Sequence, residues 1–221
     1  MANKAMNTDP TQANFARPLR AGHGRRWCRM RRMARAQHHR VCPVWVGYLL
    51  ASPIRTLFQD PQKILAPYVS SGMRVLDVGP AMGFFTLPLA RLVGPPGRVI
   101  CVDVQEKMLS ALMRRARRAN LADRIEARVC DADSLRVTGL ALTIDFVLAF
   151  AVVHEVGNAT RFFGEIQSVL TPRGRVLFAE PRGHVSERAF QESLAVAKQN
   201  GLHKTESLKI ARSHAAILER A

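Results

Sequence analysis

Long apolar runs, paired cysteines and acidic residues are what this 221-residue chain has little of, and each shortage excludes a class of protein. No apolar stretch approaches the roughly 18 residues that a membrane span requires. No segment has the three-part pattern of a secretory signal. The four cysteines lie far apart without a CxxC pair, which argues against a disulfide scaffold and against a metal site. The sequence therefore predicts a cytoplasmic protein with reduced thiols, no membrane span and no metal.

The shortage of acids gives the chain a formal net charge of +16, and this charge is unevenly distributed. Residues 1–40 contain ten Lys and Arg residues against one acid, Asp9, which is a net +9. The rest of the chain contains 23 bases and 16 acids, which is +7. Because residues 1–40 show no sustained apolar period, we expect a disordered basic tail. Such a tail is either an arm for nucleic acid or a solvated segment without a fixed partner.

Residues 41–60 differ from the tail, since they are apolar and aromatic, with Pro43 and Pro53 as helix breakers. The pattern is typical of one or two short helices that pack on a neighbouring domain. Asp60 followed by Pro61 is a strong helix start, with the acid as N-cap and proline in the first turn. We therefore place the start of the main domain, residues 61–221, at this point.

Apolar strand patterns and amphipathic helix patterns alternate through this domain. The predicted strands cover residues 73–79, 98–104, 124–131, 144–153 and 175–181, and the predicted helices cover residues 83–94, 105–121, 159–170 and 186–201. Alternation of this kind builds a parallel sheet with helices on both faces. Residues 203–220 have the pattern of two short strands with little between them, which predicts an antiparallel hairpin at one edge. We therefore expect an α/β fold with a doubly wound, mostly parallel, seven-stranded sheet.

Acids follow three of the predicted strands, and a small-residue turn follows the first of them. The acids are Asp77, Asp103 and Asp131, and in a sheet of this type the ligand lies beyond the carboxyl ends of the strands. Asp103 lies 24 residues after Gly79, a spacing that suits hydrogen bonds to a ribose diol. A dinucleotide-binding turn would need a glycine where Phe84 stands. Asp77 beside the turn would repel a pyrophosphate and suit a cationic ligand.

These features together resemble a known family. DVGPAMG, residues 77–83, is similar to the first motif, (D/E)xGxGxG, of class I S-adenosylmethionine-dependent methyltransferases. VICVD, VCDADSL, IDFVLAFAVVHEV and PRGRVLFAEP resemble the later motifs of that family, in order, across residues 61–220. The pattern looks most like the group that includes the ubiquinone/menaquinone-biosynthesis methyltransferases. The resemblance implies a Rossmann-like fold and S-adenosylmethionine as the cofactor.

The resemblance also implies a role for each residue of the site. Ala81 departs from the family motif, which usually has glycine at this position, and its methyl group makes a positive φ costly. The implied contacts are Asp77, Gly79, Ala81 and Gly83 at the amino-acid end of the cofactor, Asp103 at the ribose, Val104, Asp131 and Ala132 at the adenine, and Phe150 at the methionine end and the acceptor pocket.

The acceptor end of the site calls for a different set of residues. Methyl transfer requires mainly that the protein align the acceptor and exclude water. A general base is needed only where the acceptor is a neutral hydroxyl or an acidic carbon. His154 and Glu155 follow the fourth strand and are the predicted catalytic residues. Glu180 and His184 are further candidates. The alternative role for His154 is purely structural, as the cap of a helix start or as a hydrogen-bond partner of a strand carbonyl. The family also suggests that residues 41–60 form a lid over the site.

We expect a small-molecule acceptor, and three other functions stay open. An RNA or protein methyltransferase would use the basic tail and the arginines of residues 114–118 to hold its substrate. A non-catalytic module would bind the cofactor or nucleic acid without transferring a methyl group. A nicotinamide-dependent oxidoreductase is disfavoured because the third glycine of its motif is missing. The sequence does not determine the oligomeric state.

Overall fold

The computed structural model describes residues 59–221. The predicted basic tail, residues 1–40, and all but the end of the predicted lid, residues 41–58, lie outside the described residues. No helix within residues 59–221 is long and apolar enough to cross a membrane.

Helices and strands alternate through the described residues. The strands are β1 (Arg74–Val78), β2 (Arg98–Asp103), β3 (Ile125–Val129), β4 (Ile144–Phe150), β5 (Leu170–Pro181), β6 (Leu202–Ser207) and β7 (Ser213–Arg220). The helices are α1 (Pro61–Leu65), α2 (Thr86–Val93), α3 (Glu106–Arg118), α4 (Ala159–Val169) and α5 (Glu187–Gln199), with single 3-10 turns at Ala122–Arg124 and Val153–Glu155.

The seven strands form one sheet in the order β3-β2-β1-β4-β5-β7-β6. Strands β1 to β5 pair in parallel, whereas β7 pairs antiparallel with both β5 and β6. The predicted α/β fold with a mostly parallel seven-stranded sheet and a C-terminal antiparallel hairpin is therefore confirmed.

Both faces of the sheet are buried, as the continuous apolar strands predict. Alternate residues of a strand point to opposite faces, so Val75 and Leu76 on β1 belong to different cores. Leu76 packs in a core with Phe163 of α4 and Phe190 of α5. Val75 packs in a core with Leu89 of α2, and α3 covers the same face. The helices thus lie on both sides of the sheet and leave the ends of the strands open for a site.

The helix ends follow from their capping residues. The Asp60 carboxylate accepts hydrogen bonds from the backbone N–H groups of Gln62 and Lys63, and the Ser186 hydroxyl accepts one from that of Ala189. Gly94 ends α2 with a φ of 63°. These caps confirm the predicted starts at Asp60 and Ser186 and the predicted end at Gly94.

Three predicted boundaries are wrong. The helix predicted from Gly83 begins at Thr86, because Ala81 and Gly83 have positive φ values that an α-helix does not allow. The strand predicted to reach residue 153 ends at Phe150 and is followed by a 3-10 turn. The turn predicted at residues 172–174 lies inside β5. Between two paired positions β5 runs five residues, from Leu170 to Arg175, whereas β4 runs only two, so β5 bulges there.

Candidate active site

The candidate site lies at the carboxyl ends of β1, β2, β4 and β5. The chain runs from β1 outward to β2 and β3 on one side of the sheet, and returns to β4 and β5 on the other side. The neighbouring strands β1 and β4 therefore form the switch point at which ligands of such sheets bind. The predicted site residues Asp77, Asp103 and Phe150 all lie at this end of their strands.

The turn after β1 is built from left-handed backbone. Gly79, Ala81 and Gly83 have φ values of 67°, 49° and 87°. The backbone N–H of Gly79 donates to the Val102 carbonyl of β2, and that of Gly83 donates to the Pro80 carbonyl. Ala81 thus adopts the conformation that favours the glycine usual in the family motif, at the steric cost of its methyl group.

Helix α3 packs against this turn. A Cβ on Gly83 would overlap the side chain of Leu112, so the turn packs directly on the helix. The Arg115 guanidinium donates to the Met82 carbonyl at 2.5 Å, and burial lowers the pKa of Arg115. Residues 114–118 are therefore not a uniformly solvated basic face, because Arg115 points inward and holds the turn.

Asp77 is a buried acid at the start of the turn. Its side chain is 2% exposed, and its Oδ2 accepts a hydrogen bond from the Thr86 hydroxyl at 2.6 Å. The pKa of Asp77 is raised to about 7, chiefly by burial; the Thr86 hydrogen bond acts against the rise and the negative charge of Asp103 adds to it. A buried carboxylate supported by a neutral hydroxyl is suited to a cationic ligand group.

Asp103 ends β2 and is 8% exposed. Its Oδ1 accepts from the backbone N–H of Gln105 at 2.8 Å, and the backbone of Ala81 also bonds to its carboxylate. Burial raises the pKa of Asp103, and these two backbone bonds oppose the rise. Asp103 thus connects the turn after β1 with the start of α3. Val104, next in the chain, has 38% of its surface exposed.

Asp131 is held by a side chain that the sequence analysis did not single out. Arg136 donates from Nε to Oδ2 at 2.6 Å and from Nη2 to Oδ1 at 2.8 Å, a bidentate pair. Asp131 and Ala132 are both exposed. The structure therefore places the predicted adenine-binding acid beyond β3 with its orientation fixed by Arg136.

At the acceptor end, His154 lies on the 3-10 turn after β4 and contacts Glu180 at the end of β5. Its Nδ1 is 2.5 Å from Glu180 Oε2, and its Nε2 is 3.9 Å from Glu155 Oε1. The hydrogen bond with Glu180 raises the pKa of His154, although desolvation acts against it. Burial raises the pKa of Glu155. His184 packs edge-on against His154, with ring centroids 5.8 Å apart.

The electrostatic contacts show which predicted residues the fold brings together. The negative charge of Asp103 raises the pKa of both Asp77 and Glu155, so both of these carboxyl groups lie within electrostatic range of Asp103. Phe150 packs on Phe85 with ring centroids 4.6 Å apart, which closes the apolar side of the same region.

Thr86 and Arg136 were missed altogether by the sequence analysis, and Arg115 was considered there only as one of the arginines that could hold a polyanionic substrate. Thr86 and Arg136 bond the predicted site residues Asp77 and Asp131, and Arg115 bonds Met82 within the predicted turn, but each is an ordinary helix or loop residue in the sequence. Only Thr86 carried a signal, since it is a hydroxyl residue in the first turn of a mostly apolar helix that follows an acid at a strand end.

Comparisons with known proteins bear on the fold and the family. Residues 69–216, well over half of the chain, match the family described as "Methyltransferase domain". Among solved structures, a SAM dependent methyltransferase from Aquifex aeolicus superposes with a TM-score of 0.71 at 21% identity, covering 80% of this chain and 100% of that chain. A likeness at this identity is one of fold.

Curated relatives match over part of their length. Demethylmenaquinone methyltransferase of Lactobacillus johnsonii is 34% identical over 108 residues, which are 49% of this chain and 43% of that protein. Ubiquinone/menaquinone biosynthesis C-methyltransferase UbiE of Pseudomonas putida is 31% identical over 128 residues, 55% of this chain and 48% of that protein. Arsenite methyltransferase of Halobacterium salinarum is 31% identical over 112 residues, 51% of this chain and 28% of that protein.

The chain thus spans about half or less of the length of these curated relatives. The family match covers all five parallel strands, β1 to β5, and the turn after β1, which are the elements that carry the predicted motifs. The chain therefore belongs to the class I S-adenosylmethionine-dependent methyltransferase family that its motifs resemble.

Proposed function

We propose that this chain transfers the methyl group of S-adenosylmethionine to a small-molecule acceptor by in-line displacement. The observation that carries the proposal is the pair of buried carboxylates, Asp77 and Asp103, at the ends of the adjacent strands β1 and β2. Burying a carboxylate is costly unless donors or a cation satisfy it. A ligand with an ammonium group at one end and a ribose diol beyond it would satisfy both.

The donor set of the site fits this cofactor. Ionised carboxylates only accept hydrogen bonds, and the ammonium, ribose hydroxyls and adenine amino group of S-adenosylmethionine are all donors. In Asp131 each oxygen already takes one hydrogen bond from Arg136. A carboxylate oxygen has two lone pairs, so Asp131 can accept from the adenine amino group as well. Arg136 therefore does not exclude the predicted role of Asp131.

The chain's own residues would bind and orient the two reactants. Bound S-adenosylmethionine supplies a methyl group that its sulfonium has already activated. The glycine turn would bring backbone close to the amino-acid end, and the exposed Val104 would pack on the adenine. Phe150 would line the methionine end and limit access of water. His154 and Glu155 are the proposed catalytic residues at the acceptor end.

The relatives support a small acceptor. Their names give demethylmenaquinone, the biosynthesis of ubiquinone or menaquinone, and arsenite as what they act on or take part in. Within residues 59–221 the cysteines are Cys101 and Cys130, which are both buried and therefore poorly placed to hold arsenite. We therefore favour an organic acceptor.

The remaining assignments are also part of this proposal. Residues 1–40 would be a basic tail, residues 41–60 a lid, and residues 61–221 the catalytic domain. The proposed location is the cytoplasm, where the cysteines would stay reduced.

The test is the affinity for S-adenosylhomocysteine, measured by calorimetry on the full chain. We expect binding that Asp103→Ala weakens about tenfold or more, roughly 1.4 kcal/mol. Asp123→Ala is the matched control, because Asp123 is exposed and precedes β3 at the opposite end of the sheet. An absence of binding by folded wild-type protein, or equal losses in the two variants, would refute the proposal.

A further inference from the structure

Glu180 is a nearly inaccessible carboxylate whose hydrogen bonds within residues 59–221 all go to one turn. It is 1% exposed at the end of β5. Its Oε1 accepts from the backbone N–H groups of Val153 at 2.7 Å and His154 at 3.3 Å. Its Oε2 meets the His154 ring at Nδ1. Glu180 therefore fixes both the backbone of the turn and the imidazole that projects from it.

This contact decides which ring nitrogen carries the proton. An ionised carboxylate has no hydrogen to give, so Nδ1 of His154 must donate to Glu180. In the neutral imidazole the other nitrogen, Nε2, then has a free lone pair. Because the ring is held at 2.5 Å, the base nitrogen also has a fixed direction.

The groups that face His154 come from three elements. Glu180 approaches from β5, Glu155 from the same 3-10 turn, and His184 from the loop after β5. Glu155 in turn is within electrostatic range of Asp103, the proposed ribose-binding acid. The His154 side chain remains 22% exposed. The imidazole is therefore partly accessible to solvent, and it lies close to a residue that is within electrostatic range of the proposed cofactor end.

We propose that Glu180 is a positioning residue that presents Nε2 of His154 as a proton acceptor, and that the methyl acceptor is a molecule with an ionisable O–H or acidic C–H group. The second part follows from the first, since an amine or a thiolate already has a nucleophilic lone pair and needs no such base. This inference rests on the proposed methyl transfer and specifies its acceptor class.

The proton and the electron pairs balance within this scheme. Nε2 of His154 takes the proton from the acceptor oxygen or carbon, and the freed electron pair forms the new bond to the methyl carbon. The sulfur–methyl bond breaks, and its electrons leave the sulfur neutral. The positive charge ends on the imidazolium, which Glu180 and Glu155 stabilise until the proton passes to solvent.

The first measurement is nitrogen NMR of His154 in the full chain, assigned by its loss in His154→Asn. We expect the Nδ1–H tautomer, and this readout needs no change at Glu180. In Glu180→Gln the pKa of His154 should fall, because the negative partner is removed. Glu187→Gln is the matched control, since it alters a separate His–Glu pair, with His214 at 2.8 Å, and should leave His154 unchanged. An Nε2–H tautomer, or a His154 pKa that is unchanged in Glu180→Gln, would overturn the positioning role.

The second measurement is transfer of labelled methyl to three probes of similar size: hydroquinone, aniline and thiophenol. At saturating S-adenosylmethionine we expect hydroquinone to be methylated, with a loss of at least about a hundredfold in His154→Asn, in line with a general base. Transfer to aniline or thiophenol that survives His154→Asn would overturn the acceptor class, as would no transfer to hydroquinone. Failure to bind S-adenosylhomocysteine would instead refute the proposed function, which keeps the two failures apart.

Discussion

Ala81→Gly should stabilise this protein, although most replacements of alanine by glycine destabilise. Ala81 lies in the turn after β1 with a φ of 49°, in the left-handed region. There its Cβ is too close to the following carbonyl oxygen, which costs about 1–2 kcal/mol. Glycine removes that clash but loses about 0.5–1 kcal/mol in backbone entropy. The net gain in unfolding free energy is therefore about 0.5–1 kcal/mol.

A matched control separates this reasoning from a general effect of glycine. Ala66 ends α1 with φ −55° and ψ −32°, in the right-handed region, and is exposed. Ala66→Gly should therefore destabilise by about 0.5–1 kcal/mol. The two variants make the same chemical change and should shift stability in opposite directions.

Urea unfolding followed by circular dichroism would measure both shifts, with thermal melting as a second probe. For a chain of this size 1 kcal/mol corresponds to about 2–4 °C in Tm, so the expected rise for Ala81→Gly is about 1–4 °C. If Ala81→Gly lowers the urea midpoint as much as Ala66→Gly, the strain argument is wrong.

Two further predictions concern the same turn. Gly83→Ala should lower the unfolding free energy by about 2–3 kcal/mol, because φ is 87° and the new Cβ would overlap Leu112; an unchanged urea midpoint would contradict this. For Asp77, burial raises the folded pKa to about 7 from 3.8, so between pH 4 and 7 the folded state binds more protons and its stability falls as pH rises. Asp77→Asn does not titrate, so its unfolding free energy relative to wild type should rise from pH 5 to pH 8 by at most about 3 kcal/mol in urea unfolding. A difference that stays constant over this range would show that Asp77 does not titrate in this way.

Elements with a local signal could be predicted from the sequence. Apolar runs of strand length gave the five parallel strands, and hydroxyl or carboxyl caps gave the starts of α1 and α5. The boundary of α2 could not be predicted in this way, because GFFTLPLA has helical spacing from Gly83 onward. The left-handed φ of Gly83 and the packing of the turn on α3 delay the helix to Thr86. That packing is a contact between distant segments.

The candidate site shows the same division. Asp77, Asp103 and Asp131 could be proposed because acids at strand ends in a parallel sheet share one edge. The long-range contacts that support the turn after β1 and the acceptor end could not be predicted, since their donors and acceptors come from different elements. Arg115 reaches Met82 across 33 residues and Glu180 reaches His154 across 26. Hydrogen bonds of this span leave no periodic trace in the sequence.

The sequence by itself determined the alternation of strands and helices, the acids at the strand ends, and the family to which the chain belongs. These depend on local backbone preference and on residue types at fixed spacing. Only the tertiary structure decided that Ala81 is strained, that Arg136 holds Asp131, and that Glu180 selects the tautomer of His154. The first two depend on the backbone path of one turn and one loop, which residue types alone do not determine. The third depends on how β5 packs beside the turn after β4, because an imidazole proton takes its position from the groups that folding places beside it.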